Sequence, residues 1–152
     1  MNDAILGAAA FAGVLIATKE DLAPTKATGY SNGQPIELEL SLIDAEGHQL
    51  RVDAAVGFRD MALDAAGAGV VLHVDSAFRT FAEQADLRQL YLNGKGNPAD
   101  PPGYSNHESG IAVDINTDGG TNRAFFWLQA NAARFAFRST VPNEPWHWEY
   151  RP

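Results

Sequence analysis

The sequence predicts an α+β domain built on a small, mainly antiparallel sheet with flanking helices. Segments with strand character come in neighbouring pairs. Amphipathic helical segments fall between them without the strand–helix–strand alternation of a parallel sheet. The 152 residues suit one domain with a sizeable core, and 45% hydrophobic with 20% charged residues is the balance of a globular chain. No internal repeat or low-complexity segment interrupts it.

The N-terminal stretch Ala4 to Ala17 is nearly all apolar but too short to cross a bilayer. No Lys or Arg precedes it, as a secretory signal would require; the first is Lys19. It is expected to form a helix packed on the domain, capped by Asn2 or Asp3. Residues 18–35 are polar, contain Pro24, Gly29, Gly33 and Pro35, and read as a loop. The chain therefore divides into residues 1–35, a helix and loop, and residues 36–152, the domain proper.

Ile36, Leu38, Leu40 and Leu42 alternate with polar residues and predict a half-buried strand. Ala45 to His48 reads as a hairpin turn, with a partner strand running through Leu50 and Val52; His48 is a solvated turn residue. Phe58, Met61, Ala62 and Ala65 recur at helical spacing, so a helix is expected over 53–67, ended by Gly67 and Gly69. Val70 to Asp75 is a strand that contains His73, a residue with a local bond and no ligand role. Thr80 and Glu83 form a capping box that opens a helix to about Leu92, with Leu87, Leu90 and Tyr91 inward. Residues 93–106, rich in Gly and Pro, make a long loop. Ile111 to Val113 is a buried strand with Asp114 near its end. Phe125, Leu128, Ala132 and Phe135 mark a further helix. Phe137 to Thr140 and Trp146 to Tyr150 are the last strands, with Trp146 and Trp148 expected in the core on the far face.

The chain has no cysteine, so a metal could be held only by His and carboxylate side chains. Its net charge of −8 argues against a nucleic-acid or anionic-membrane partner. His107, Asp114 and His147 would make a two-His, one-carboxylate zinc site with its fourth position open, as catalytic zinc sites have. Asp114, Asn116, Asp118 and Gly119 mimic half of a calcium-binding EF-hand loop, but Phe125 stands where the bidentate Glu should be, so Asp118 and the glycines read as a turn. A hydrolytic zinc site also needs a base. Glu149 shares a strand face with His147, whereas Glu144 reaches the metal only if the chain turns near Pro145. Arg79, between a strand end and a helix start, is a candidate for stabilising an oxyanion.

Three blocks in order carry a resemblance over roughly residues 50–152. They are Ser76-Ala77-Phe78-Arg79-Thr80 with Gln84, Pro102 to Asp114 with its Ser-x-His-x6-Asp spacing, and Glu144-Pro145-Trp146-His147. They resemble the zinc D-Ala-D-Ala carboxypeptidase family of VanY type, which includes dipeptidases and L-alanyl-D-glutamate endopeptidases of phage lysins. The resemblance implies the fold shared by DD-peptidases and the hedgehog zinc domain. It implies Zn2+ on His107, Asp114 and His147, Glu144 as general base in place of Glu149, Arg79 at the oxyanion, and Ser105 and Gln84 lining the substrate. The implied substrate is a peptidoglycan stem peptide. The implied place of action is the bacterial wall, in the periplasm or outside the cell, for a monomer acting as a wall enzyme, phage lysin or secreted effector. A non-catalytic zinc-containing module is the rival reading, against which Glu144 and Arg79 both count. A carboxypeptidase must bind a terminal carboxylate, and the 93–106 loop offers only Lys95 as a cation beyond Arg79. Endopeptidase cleavage is therefore favoured over removal of terminal D-Ala.

Overall fold

The computed structural model of the protein describes residues 9–11 and 13–152. In chain order the strands are β1 (Ala9–Phe11), β2 (Val14–Ile16), β3 (Thr25–Ser31), β4 (Gln34–Leu42) and β5 (Gln49–Arg51). Helix α1 (Val52–Gly67), β6 (Val74–Ser76), α2 (Phe81–Leu92), β7 (Ala112–Ile115) and α3 (Arg123–Asn131) follow, then a 3-10 turn at Ala132–Phe135, β8 (Phe137–Ser139) and β9 (His147–Tyr150). The strands form three antiparallel sheets, β1-β2, β3-β4-β5 and β6-β7-β9-β8. The expected α+β class with a mainly antiparallel sheet holds.

Helix α1 is the core's spine. Ala54, Ala55, Phe58, Met61, Ala62 and Ala65 repeat along one face, and all are buried. Phe58 meets Phe137 edge-on at 6.2 Å, and Leu50, Val113, Ile115 and Trp148 complete the same core. Each large side chain buried there contributes roughly 1.5–3 kcal/mol. The helix is closed just past its last residue by Gly69, whose φ of 73° lets its N–H reach the Ala66 carbonyl while Val70 N–H reaches that of Ala65. That is the paired-bond helix stop for which a left-handed glycine is favoured.

Several sequence expectations are corrected. The apolar stretch 4–17 is not a helix over its described part; β1 and β2 pair there as a hairpin. Gly13, with φ 78° and packed so closely that a Cβ would sit 2.6 Å from Val71 Cγ1, breaks helical continuity. The caps proposed at Asn2 and Asp3 lie outside the described residues. The 18–35 loop contains strand β3, which pairs with β4 over its full length. β3 lacks apolar alternation, and its pairing is set by the turn: Asn32 (φ 50°) and Gly33 (φ 76°) form the two-residue Asn-Gly connection that matches strand twist. Val52 starts α1 rather than ending β5, and Val70 to His73 lie outside any strand, β6 beginning at Val74, although the His73 carbonyl already accepts from Asn116 N at 2.8 Å.

Helix α2 has the expected capping box: Thr80 Oγ1 accepts from Glu83 N and Glu83 Oε2 from Thr80 N. Of its expected inward face only Leu87 is half-buried. Leu90 is 44% and Tyr91 39% exposed, and Gln84 is its one fully buried residue among those described. Polar bonds to the following loop hold it instead: Gln84 Nε2 donates to the Asp100 carbonyl at 2.9 Å, and Arg88 Nη1 to that of Ala99 at 2.7 Å.

Candidate metal centre

The site is built on the central strands of the largest sheet. Asp114 on β7 and His147 on β9 are direct register partners. Alternation along each strand sends Val113, Ile115 and Trp148 into the core and Asp114, His147 and Glu149 to the opposite face. His107 arrives from the loop before β7, which is held by bonds rather than by regular structure. The buried Glu108 carboxylate accepts from Gly103 N with both oxygens at 2.9 Å and from Ser105 N at 3.1 Å. Tyr30 N of β3 donates to the Glu108 carbonyl at 3.0 Å, and Arg51 N to that of Gly110 at 2.9 Å. Gly29 makes this docking possible, since a Cβ there would stand 2.4 Å from the Glu108 carbonyl oxygen.

The three candidate ligands converge. His107 Nε2 lies 3.2 Å and His147 Nδ1 3.1 Å from Asp114 Oδ1. Atoms bound to one tetrahedral zinc at ordinary ligand distances stand about 3.3 Å apart, so the group is sized for such an ion. The outer partners set the ring nitrogens. His107 Nδ1 faces the Ala77 carbonyl at 2.7 Å, and His147 Nε2 faces Glu149 Oε1 at 2.9 Å. Each imidazole thus places its proton outward and turns a lone pair towards Asp114, the orientation of metal-binding histidines. Three converging lone pairs repel unless a cation or proton lies among them.

With protons in that place, burial disfavours the imidazolium of His147, but hydrogen bonds to Asp114 and Glu149 outweigh it and push its pKa up to about 9. Burial raises the Asp114 carboxyl, yet the bonds from His107 and His147 win and hold it well below the ordinary carboxylate range. Glu149 behaves alike: burial is outweighed by His147, Asn106 and Arg151, leaving it at about 2.

The other candidates border the same cavity of about 630 Å3. Arg79 is tightly held: Nη2 donates to Asp114 Oδ2 at 2.9 Å, Nε to Ser76 Oγ at 2.8 Å and Nη1 to Gln84 Oε1 at 3.2 Å. Gln84 therefore has both ends of its amide engaged, one on Arg79 and one on Asp100. Ser105 Oγ accepts from His107 N at 3.2 Å at the cavity wall.

The two glutamates occupy different environments. Glu149 is 2% exposed, with one oxygen shared by His147 and Asn106 and the other taken by Arg151. Glu144 borders the cavity, and its carboxylate makes no hydrogen bond among the described residues. Burial, with help from Asp114 and Asp100, raises its pKa against the pull of His147. The chain does turn at Pro145: His147 N donates to the Glu144 carbonyl, and the Pro145 carbonyl accepts from Trp148 Nε1. That turn lies before β9, so Trp146 falls out of strand alternation and borders the cavity, while Trp148 is in the core as expected.

His48 pairs with Asp44 in the β4–β5 turn, where Asp44 also accepts from the backbone of Glu46 and His48, and His73 is exposed; neither joins the site. Asp118 lies in a turn closed by Thr121. Glu108, Asn106 and Arg88 were not anticipated. A buried acid inside the Ser105 to Gly110 loop has no periodic signature, and Arg88 reveals itself only by its helical offset of four from Gln84.

The protein matches the family model VanY: D-alanyl-D-alanine carboxypeptidase over residues 47–152. A D-alanyl-D-alanine carboxypeptidase of Enterococcus faecium is 31% identical over 112 residues, covering 64% of this chain and 36% of that one. One of Enterococcus faecalis is 42% identical over 62 residues, covering 32% and 23%. The chain thus spans about a quarter to a third of the length of these curated relatives. Among solved structures, VanYB in complex with D-alanine-D-alanine is 27% identical with a TM-score of 0.67, covering 81% of this chain and 84% of that one. A variant of the vancomycin-resistance D,D-pentapeptidase VanY in complex with Zn(II) is 27% identical with a TM-score of 0.65, covering 76% and 79%. The expected DD-peptidase-like fold is thereby established, and with the family model matching more than two thirds of this chain, the chain belongs to the VanY-type D-alanyl-D-alanine carboxypeptidase family.

Proposed function

We propose that this protein is a zinc-dependent peptidase of the peptidoglycan stem peptide that removes its C-terminal residue. The convergence of His107, Asp114 and His147, each oriented for an ion of zinc's size, is the observation that carries this reading. Zinc bound there supplies a Lewis acid for the peptide carbonyl and an acidified water. Glu144 is the base: unpaired, raised in pKa and facing the cavity, it takes a proton from the attacking water and hands it to the leaving amine. Arg79 stabilises the oxyanion from a guanidinium already fixed on three sides, so little reorganisation is needed. Gln84 holds Arg79 and the 93–106 loop in place, and Ser105 offers its hydroxyl at the wall. Glu149 orients His147 from behind. The catalytic unit is residues 36–152 with β3 included, since β3 braces the His107 loop.

Two considerations favour the carboxypeptidase over the endopeptidase. The two curated relatives carry carboxypeptidase names, and one similar structure holds D-alanine-D-alanine. The shortage of cations that pointed to an endopeptidase also disappears, because Arg88 borders the cavity. The site of action is the bacterial wall, outside the cytoplasm. No helix among the described residues is long and apolar enough to cross a membrane. The test is digestion of defined stem peptides by the zinc-loaded protein, with products identified by mass spectrometry. Release of the terminal D-Ala supports the reading. Cleavage of the L-alanyl-D-glutamate bond alone makes the protein an endopeptidase. No cleavage of any peptide leaves the non-catalytic module.

A further inference from the structure

We infer that Arg88 is a specificity-determining residue that binds a carboxylate of the peptide substrate; this rests on the peptidase reading above. The cavity wall carries two arginines. Arg79 is neutralised by Asp114. Arg88 forms no ion pair among the described residues, although Asp100, Asp114, Glu144 and Glu149 border the same cavity. It is nevertheless held. Nη1 donates to the Ala99 carbonyl at 2.7 Å, and the guanidinium lies over the Tyr91 ring, 5.4 Å from its centroid. Nε and Nη2 make no hydrogen bond among the described residues. A half-buried guanidinium, immobilised at one nitrogen with its other donors free at a cavity wall, is prepared to accept a planar anion.

Its position states where the anion lies. Gln84 and Arg88 are four apart on α2 and share a face, with Cβ atoms about 6 Å apart. Gln84 contacts Arg79, which contacts Asp114. Arg88 therefore stands one helical turn along α2 from Gln84, on the wall of the cavity that the metal ligands border. One turn is about 5.4 Å and an extended peptide advances about 3.3–3.6 Å per residue, so a peptide whose scissile bond lies beside Arg79 and Gln84 meets the arginine head about one or two residues away. Two carboxylates of a stem peptide fall in that range, the terminal one and that of a residue beside the cleaved pair.

The experiment is steady-state hydrolysis by the zinc-loaded protein, comparing wild type, Arg88→Gln and Arg88→Lys on three peptides. These are the parent stem peptide, its C-terminal amide, and the peptide amidated at the internal carboxylate. On the parent, Arg88→Gln should raise KM about 10- to 100-fold with kcat within about threefold, and Arg88→Lys should recover part of the loss. On one of the two amides wild type and Arg88→Gln should coincide, which identifies the carboxylate. A penalty equal on all three peptides would mean that Arg88 merely tethers the 93–106 loop, and the proposal falls. An unchanged KM on the parent overturns it too, leaving the peptidase reading intact. If wild type itself cleaves none of the peptides, both fall together.

Discussion

Replacing Glu149 by Gln should weaken zinc binding without abolishing it, and the loss should depend on pH in a definite sense. Glu149 is buried behind His147, and its Oε1 accepts from His147 Nε2 at 2.9 Å. Partners of this kind fix the ring and raise ligand basicity, and losing one costs about 10- to 100-fold in metal affinity, or roughly 1.4–2.7 kcal/mol. The same carboxylate also helps a competing proton. With His147 raised to about 9 in the metal-free protein, zinc must displace a proton at neutral pH, which costs about 2 pH units or roughly 2.7 kcal/mol at pH 7. In Glu149→Gln the His147 pKa falls towards its ordinary value, so this cost shrinks. At about pH 7 the two effects offset each other in part; at about pH 9.5 the proton is gone and the full loss of affinity shows. Wild-type affinity itself should climb with pH by up to tenfold per unit and level off near 9. The assay is competition against a chromophoric chelator at both pH values, with circular dichroism to verify the fold. Equal zinc affinity of variant and wild type at about pH 9.5 would refute the positioning role.

Glu144→Gln should keep wild-type zinc content and lose about 10²–10⁴ in kcat, read by elemental analysis beside peptide hydrolysis; a variant that stays active removes Glu144 as the base. Arg79→Ala should lose about 10²–10³ in kcat with zinc retained, and near-normal turnover would limit Arg79 to bracing Asp114. Phe58→Ala, at a side chain 1% exposed in the core, should cost about 3–5 kcal/mol in urea unfolding, and a loss below about 1 kcal/mol would show the α1 packing to be misjudged.

Local chemistry was legible in the sequence where one segment suffices to express it. Helix α1 announces itself by its apolar spacing, α2 by Thr80 and Glu83, and β4 by alternation, because each signal is confined to neighbouring residues. The candidate trio of His107, Asp114 and His147, which the fold brings together, was legible through residue types and the absence of cysteine, and the family through its ordered motifs. Strand β3 was hidden, since its pairing depends on its partner and on the Asn32-Gly33 turn rather than on its own polarity pattern. The N-terminal hairpin was hidden because an apolar run fits either helix or strand until Gly13 and its neighbour Val71 decide.

The roles of the two glutamates needed the tertiary structure. Sequence spacing placed Glu149 on the face of His147, and it is there; but Asn106, from a loop 43 residues away, together with Arg151 two residues on, leaves its oxygens no freedom. Glu144 faces the cavity because the chain turns at Pro145, a conformation that residue types permit without requiring. The sequence alone determined which groups could bind a metal and do acid–base chemistry, since that follows from side-chain type. Which group touches the cavity and which one braces another was decided by the fold, because hydrogen-bond occupancy and burial depend on residues far apart in the chain.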